Sequence, residues 1–461
     1  MRWTIALSWA TLFLFFAKAE DWNRFRGPNG TGVSKDVGFP AQLGPEKNMR
    51  WRAGVRPGKS SPVLTNNHVF VTGAEDGKLY TQCFDRKTGK LLWERAEPQR
   101  HTEVVNALNH PAAITPVTDG ENIYAFFKEY GLISYDSTGK LRWKTPMGPF
   151  TNVMGVGTSP IIAGDSVVVV IDQIDDSYIA AVDKRNGEIK WKTAREESDS
   201  WGTALHSGSE ILTLARGQLG VHSPTTGKRT FTKQQGIPTT IVGSPVLVGD
   251  TVYVFGYGSE EPAPFAPRLA RLDKNGDGKL TADEYGIDAF LLGIAKYEGN
   301  RDLVVTQEKW DAKQRKVMGP NAMVALRLER DPKAGSIVAT HELWRYDKSF
   351  TSVIPSLLHY QDVLYVVKNG GILTSFEAKS GKVLKTGRLE GALGGYSASP
   401  VAADGKVYLA SEDGNVTVLQ ASGEWKVLSS TDLAEPCYAT PALSQGSVFI
   451  RTGEALYRFG K

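Results

Sequence analysis

Five stretches decide the fold: CFDRKTGKLLW at residues 83–93, SYDSTGKLRW at 134–143, AVDKRNGEIKW at 181–191, VHSPTTGKRTF at 221–231 and SFEAKSGKVLK at 375–385. Each begins with small or apolar residues and passes through a short polar turn ending in Gly. Four of the five place an aromatic ring four positions after that Gly. Gly tolerates the left-handed backbone that tight hairpin turns require, so each stretch reads as strand, turn, strand. Turns of this kind end at Gly89, Gly139, Gly187, Gly227, Gly335, Gly381 and Gly423, with spacings of 50, 48, 40, 108, 46 and 42. The single long interval holds about 60 residues too many, and the segment Ser259–Asn321 accounts for them.

A second signal lies upstream of each turn, where Pro or a small residue opens an apolar strand: Pro62, Pro116, Pro160, Ala204, Pro245, Ser356, Pro400 and Pro441. Pro is tolerated at the first residue of a strand, where no ladder donor is lost. Eight starts, at about 43–44 residues per unit once the insert is removed, suit four-stranded propeller blades. The last unit, ATPALSQGSVFIRTGEALYRFGK, stops short of a fourth strand, and MRWRAG around Trp51 can supply it. Pairing the two ends removes the free edges an open sheet would expose. The expected fold is therefore all-β, an eight-bladed β-propeller, with seven as the alternative count. It closes by pairing N- and C-terminal strands and carries a small helical insert. The expected segments are 1–19, 20–50 (an extended N-terminal stretch), 51–258 and 322–461 (the propeller), and 259–321 (the insert).

Composition agrees with many short strands: 461 residues include 48 Gly, 11 Trp, 16 Tyr and 18 Phe. With 54 Lys and Arg against 50 Asp and Glu, scattered along the chain, no basic stripe marks a nucleic-acid groove, and no nucleic-acid partner is expected. The opening MRWTIALSWATLFLFFAKAE offers Arg2, an apolar run from Thr4 to Ala17 and the triplet Ala17-Lys18-Ala19, the pattern of a secretory signal cleaved after Ala19. The run is shorter than the roughly 20 residues of a spanning helix. The mature chain is thus expected in the periplasm or secreted, without a membrane span, as a monomer. Cys83 replaces Ala181, Ser134 and Ser375 of other units and reads as a packed third-strand residue, and Cys437 falls in a rim loop. Both are expected as free thiols.

In a propeller the first-to-second and third-to-fourth strand turns share one face, and the other connections share the opposite face. Here the first set is tight (TDGEN, AGDS, VGDT, ADGK). The blade-to-blade connections are long: QRHTEVVNALNHP, PMGPFTNVMGVG, AREESDSW, QQGIPTTIVG, DKSFTSVIP, LEGALGGYSA and DLAEPCYA. Long loops on one rim of a rigid ring are the usual place for binding. Candidate ligand-face residues are His101, Asn106, His110, Asn152, Arg195, Trp201, Tyr396, Glu435 and Tyr438. No Ser/His/Asp spacing or paired-carboxylate motif points to a hydrolase.

The insert contains RLDKNGDGKLTADEY, which fits the twelve-residue EF-hand loop at each diagnostic position. Asp273, Asn275 and Asp277 stand at one, three and five, Gly278 at six and the Lys279 carbonyl at seven. Leu280 stands at eight, Thr281 at nine and Glu284 at twelve. Calcium, which takes six to eight oxygens, is the expected ion, with the role of ordering the insert. Downstream, YEGNRDLVVTQEKWD is a degraded second loop with Glu298, Asn300 and Asp302 at one, three and five, Leu303 in place of Gly, and Lys309 where the chelating Glu belongs. DAFLLGIAKY between them has helical spacing.

The repeated units resemble the quinoprotein, or pyrroloquinoline quinone, repeat. The whole arrangement is similar to exported propeller proteins of that type, including DWNRFRGPNGTG at 21–32, the string HPAAITPVTDG and the EF-hand insert. The resemblance covers nearly the whole mature chain. It implies a non-catalytic binding or assembly scaffold that holds a protein, glycan or small molecule on its long-loop face. The alternative it implies is a quinone-dependent alcohol dehydrogenase. Such dehydrogenases would need a vicinal disulfide, a Trp beneath the cofactor, calcium held by Glu and Asn, and an Asp base. No two cysteines are adjacent here, and of the cations a tricarboxylate quinone wants, only Arg195 and Lys144 fall near plausible positions. No quinone-binding residue is carried over.

Overall fold

The computed structural model describes residues 22–99, 109–148, 150, 152, 155–173, 176–197, 200–259, 261–286, 288–300, 302–348 and 354–460. Residues 1–19, expected as a signal, and the candidates His101 and Asn106 lie outside the described residues.

The strands form eight four-stranded antiparallel sheets. Blade one runs Val63–Leu64, His68–Glu75, Lys78–Asp85 and Leu91–Pro98, in that order from the axis outward. Blades two to seven repeat this order over 117–145, 161–194, 205–233, 246–346, 358–388 and 401–432. Blade eight takes three strands from the tail, Ala442–Ser444, Ser447–Arg451 and Ala455–Gly460, and its outer strand, Met49–Gly54, from the other end of the chain. Trp51 lies opposite Arg458 and Gly54 opposite Ala455, so the count is eight and the ends close the ring. Innermost strands of neighbouring blades touch, and that of blade one touches those of blades two and eight.

The burial pattern follows from the radial stacking. Middle strands lie between two neighbouring sheets and are buried on both faces, as in SVVVVI at Ser166–Ile171 and YIAAVD at Tyr178–Asp183. The outer strand Ile189–Ala194 alternates exposed and partly buried residues. Its aromatic explains the repeat. Trp51 Nε1 donates to the Arg86 carbonyl of the next blade at 3.1 Å, and Trp93 to Ser137 at 2.9 Å. Trp143 reaches Lys184 at 3.2 Å, Trp191 reaches Pro224 at 3.0 Å and Trp344 reaches Ala378 at 2.9 Å. Each ring lies on the turn glycine of that next blade, so a Cβ at Gly89, Gly139, Gly187, Gly227 or Gly381 would clash with it. The same glycines have φ between 71° and 81°. Gly is thus required twice over, once for its backbone and once for the neighbouring indole.

Residues 22–44 form a strap across the tight-turn face. The Trp22 carbonyl accepts from Leu64 N, Asn23 from Thr118 N and Asn29 Oδ1 from His206 N. Gly32 and Ser34 pair with Ala402, Asp404 Oδ2 accepts from Gly38 and Phe39 N, and Tyr408 donates to the Pro40 carbonyl. The strap therefore touches blades one, two, four and seven before feeding the closing strand.

The insert leaves blade five between its second strand, Thr251–Gly256, and its third, Ala322–Arg330. It holds helices α1 (Ala266–Leu272), α2 (Ala282–Tyr285), α3 (Ala289–Tyr297) and α4 (Gln307–Val317) around a core of Phe265, Leu280, Tyr285, Leu291, Ile294, Val305 and Trp310. Among the described residues no helix is long and apolar enough to cross a membrane.

Candidate functional site: an axial cavity ringed by hydroxyls

Two residues before each innermost strand stands a Ser or Thr, and the eight together form a closed circle. Ser61 N donates to Thr115 Oγ1 at 3.0 Å, Thr115 N to Ser159 Oγ at 3.2 Å, Ser159 N to Thr203 Oγ1 at 3.0 Å and Thr203 N to Ser244 Oγ at 3.0 Å. Ser244 N then reaches Ser356 Oγ at 2.9 Å, Ser356 N reaches Ser399 Oγ at 3.0 Å, Ser399 N reaches Thr440 Oγ1 at 2.9 Å, and Thr440 N returns to Ser61 Oγ at 3.0 Å. Each blade thereby gives the next one hydrogen bond, and buried amides that no sheet partner reaches are satisfied.

Seven of the eight hydroxyl residues, all but Thr203, line an axial cavity of about 300 Å³. Phe25 of the strap also lines it. The wall toward the long-loop rim carries Lys59, Asn109, Trp201, Tyr257, Ile354 and Tyr438. Lys59 is the one charged side chain in that lining among the described residues. Its ammonium lies 4.0 Å from the centre of the Tyr438 ring, and burial draws its pKa below the ordinary lysine value, against the opposing field of Glu412. The lining can hold an apolar or aromatic body, hydrogen-bond to it through hydroxyls, and face one negative group.

The candidate residues divide clearly. Trp201 and Tyr438 line the cavity, and Trp201 is fixed by an Nε1 hydrogen bond to the Gly155 carbonyl at 3.0 Å. His110 lies just behind the wall. Its Nδ1 accepts from Ala112 N at 3.1 Å, and burial, then the charges of Arg451 and Lys59, lower its pKa to about 4. The other four are absorbed by the frame. Arg195 has no exposed side-chain surface: it grips Asp172 at 2.7 and 3.1 Å, donates to Thr213 Oγ1 at 2.9 Å and abuts His222 Nε2 at 3.2 Å. Asn152 donates to the Asp172 carbonyl at 3.3 Å. Tyr396 is buried and donates to the Ala392 carbonyl at 3.0 Å. Glu435 pairs with Arg52 at 2.7 Å and Tyr457 at 2.8 Å beside the ring closure. Lys144 is paired with Glu97 at 2.6 Å. Cys83 and Cys437 are buried free thiols, and burial raises both, Cys437 to about 12, so neither is an activated nucleophile.

The ring hydroxyls went unremarked in the sequence, yet a signal was present: Ser-Pro or Thr-Pro recurs at 61–62, 115–116, 159–160, 244–245, 399–400 and 440–441, directly at the strand starts. Their shared role depends on closure, which no single repeat displays.

In the insert, the side chains of the loop from Asp273 to Glu284 turn back onto the loop's own backbone. Asp273 accepts from Gly276 and Gly278 N at 2.8 and 2.9 Å, Asn275 from Asp277 N at 2.9 Å and Asp277 from Lys279 N at 3.0 Å, with Gly278 at φ 77°. Glu284 accepts from Lys274 and Thr281 N. Among the described residues no three acidic, His or Cys side chains are gathered as a metal-holding group. The donor types along these twelve residues still suit a hard cation: three carboxylates, an amide oxygen and a backbone carbonyl.

Fold and ring together define a closed eight-bladed propeller built from quinoprotein-type repeats. The sequence profile of the family described as outer membrane protein assembly factor BamB matches residues 44–173, 82–273 and 331–457, and the chain belongs to that family. A protein named outer membrane protein assembly factor BamB, from Burkholderia pseudomallei, is 23% identical over 290 residues, spanning 61% of this chain and 70% of that protein. Among solved structures, BamB from Moraxella catarrhalis superposes with a TM-score of 0.54 at 13% identity, over 88% of this chain and 98% of its own. A europium-containing methanol dehydrogenase superposes with a TM-score of 0.57 at 13% identity, over 96% of this chain and 98% of its own. At such identity these two likenesses speak for the fold alone.

Proposed function

We propose that the protein is an exported binding propeller, periplasmic or secreted, that holds a partner protein on its long-loop face as an assembly scaffold, while its insert binds calcium at Asp273, Asn275, Asp277, the Lys279 carbonyl, Thr281 and Glu284. The axial cavity carries this reading. Its described lining offers hydroxyls, aromatic rings and one lysine, with no carboxylate or imidazole placed to take a proton from a substrate. Membership of a family described as an assembly factor supports a protein partner. Pyrroloquinoline quinone is the poorer fit: among the described lining residues its three carboxylates would meet one cation, Lys59, Arg195 is turned into the frame, and Cys83 stands on the third strand of blade one while Cys437 lies in the loop between blades seven and eight. Calcium's role is to fold the loop around its own oxygens and so order the insert.

The face is tested by placing a photo-crosslinking residue at Leu393, which is 55% exposed in the long loop between blades six and seven, or at Asp165, in a tight turn. In the native envelope a discrete adduct is expected from Leu393 and none from Asp165; the reverse pattern, or equal adducts, overturns the face assignment. In parallel, saturable stabilisation of the purified protein by added quinone, with dye-linked alcohol oxidation, would replace the scaffold reading by the dehydrogenase one.

A further inference from the structure

The second loop of the insert keeps the path of the first although its sequence breaks the pattern at two positions. Its eighth residue, Val305, pairs with the eighth residue of the first loop: Leu280 N donates to the Val305 carbonyl at 3.0 Å, and Val305 N returns a bond at 2.9 Å. Asp302 at position five accepts from Val304 N at 3.0 Å, as Asp277 does from Lys279 N at 3.0 Å. Even position six is kept, with Leu303 at φ 62° beside Gly278 at φ 77°. A left-handed backbone is strained for a residue that carries a Cβ, and Leu303 is 47% exposed, so its own burial offsets little of that strain. Something else holds the loop in shape.

Lys309 is placed to do so. It stands at position twelve with its side chain 6% exposed. Its ammonium lies 2.5 Å from Asp302 Oδ1 and 2.9 Å from the Val304 carbonyl, the oxygens of positions five and seven. A metal ion in this loop would draw on those same two positions. The carboxylate of position one is engaged as well, since Glu298 accepts from Lys316 Nζ at 2.8 Å. The carboxylates at positions one and five thus each face a lysine, and a divalent ion drawing on position five would meet the Lys309 charge there.

We propose that the Lys309 ammonium is a tethered cation that fills the second loop permanently, so that the insert takes one calcium ion, in the first loop, and its second half is ordered without metal. This rests on the calcium reading of the first loop. The division has a mechanical consequence, because α4, which follows the lysine-filled loop, is the part joined to the ring. Thr239 Oγ1 donates to the Val317 carbonyl at 2.7 Å and Arg216 to the Lys316 carbonyl at 3.1 Å. Calcium therefore governs the outlying half, α1 and α2, while the docked half stays in place.

Calorimetric titration of the chelator-treated full chain with calcium chloride tests the count. One site is expected in the native chain, none in Glu284→Gln and two in Lys309→Glu, where the restored carboxylate replaces the ammonium. Lys309→Met should keep one site and melt a few degrees lower without calcium. Two sites in the native chain, or a folded Lys309→Glu with one, overturns the proposal. Should Lys309→Glu fail to fold, hydrogen exchange on the native chain decides. Chelation is expected to raise exchange across 266–288 and leave 305–319 protected, and loss of protection in both halves overturns the proposal. A native chain that binds no calcium, while Lys309→Met still loses stability, would remove the first-loop reading and leave the tethered cation standing.

Discussion

The strap on the tight-turn face and the junction of blades three and four bury charge in opposite ways. On the tight-turn face the strap inserts Arg24 and Arg26, which among the described residues pair with no carboxylate. Arg24 Nη2 donates to the Ala204 carbonyl at 2.7 Å and Arg26 Nη2 to Leu357 at 2.7 Å, and burial lowers their pKa values to about 10 and about 9. Beneath the long-loop rim, Arg195, Asp172, Glu197, Arg229 and His222 form a paired network between blades three and four. Backbone carbonyls suffice as partners where a strap closes a surface permanently. Paired ionic groups brace the rim from which the mobile work of binding is expected. The first arrangement is insensitive to mild acid, and the second is not.

The sharpest way to break this contrast is to cut into the strap. Trp22 is wholly buried in a cluster with Phe39, Leu64, Phe449 and Leu456, joining the strap to blades one and eight. If the strap is a structural closure, Trp22→Ala should cost about 3–5 kcal/mol, the usual range for emptying a large aromatic site, read from urea unfolding. A loss below about 1 kcal/mol would make the strap a covering without structural weight.

Acid sharpens the other side. The His222 imidazole has an ordinary pKa of 6.5, but burial, followed by the charges of Arg195 and Arg229, lowers it to about 3 in the folded chain. The Gly227 carbonyl raises it only weakly, and Glu197 and Asp172 serve the arginines. The unfolded chain therefore binds the proton first. Stability from this site is complete above pH 6.5 and is lost as pH falls toward 3, reaching on the order of 2–3 kcal/mol at pH 4.5. His222→Gln should flatten the acid limb of a stability-against-pH curve by that amount, and an unchanged slope would mean the network does not titrate.

Much of the ring was legible because its signals are local. The turn glycines and the aromatics four residues later are one contact seen twice, since each Trp docks on the glycine of the following blade. Ring closure was legible for the same reason: a three-stranded tail with a spare strand near Trp51 has a single economical solution. The site was less so. Arg195, Tyr396 and Glu435 sit in the right loops, but loop membership does not say whether a side chain turns inward, and here buried partners elsewhere in sequence decide it. Phe25 and Lys59 were missed because the strap and the first rim residues lie outside the repeat, and only folding brings them to the axis. Lys309 was read as a broken ligand, which one loop alone suggests; its role emerges from the carbonyl and carboxylate around it.

The smallest effect separates the hydroxyl circle from the cavity it encloses. Thr203→Val keeps volume but removes the acceptor of Ser159 N, and Ser159→Ala removes the acceptor of Thr115 N. Each leaves one buried amide unpaired, which costs about 1–3 kcal/mol when nothing replaces the bond. Ser159 lines the cavity and Thr203 does not. A water entering from the axis can take the place of the lost Ser159 hydroxyl and satisfy the Thr115 amide, whereas after Thr203→Val a methyl fills the acceptor's place away from the lining and the Ser159 amide stays unpaired. Thr203→Val should be the more destabilising by about 1 kcal/mol in matched urea titrations. Equal losses would mean that the amides are shielded alike and that the cavity, at this level of the axis, does not admit water; a larger loss for Ser159→Ala would place the hydroxyls, rather than the aromatic wall, as the part of the cavity the fold depends on.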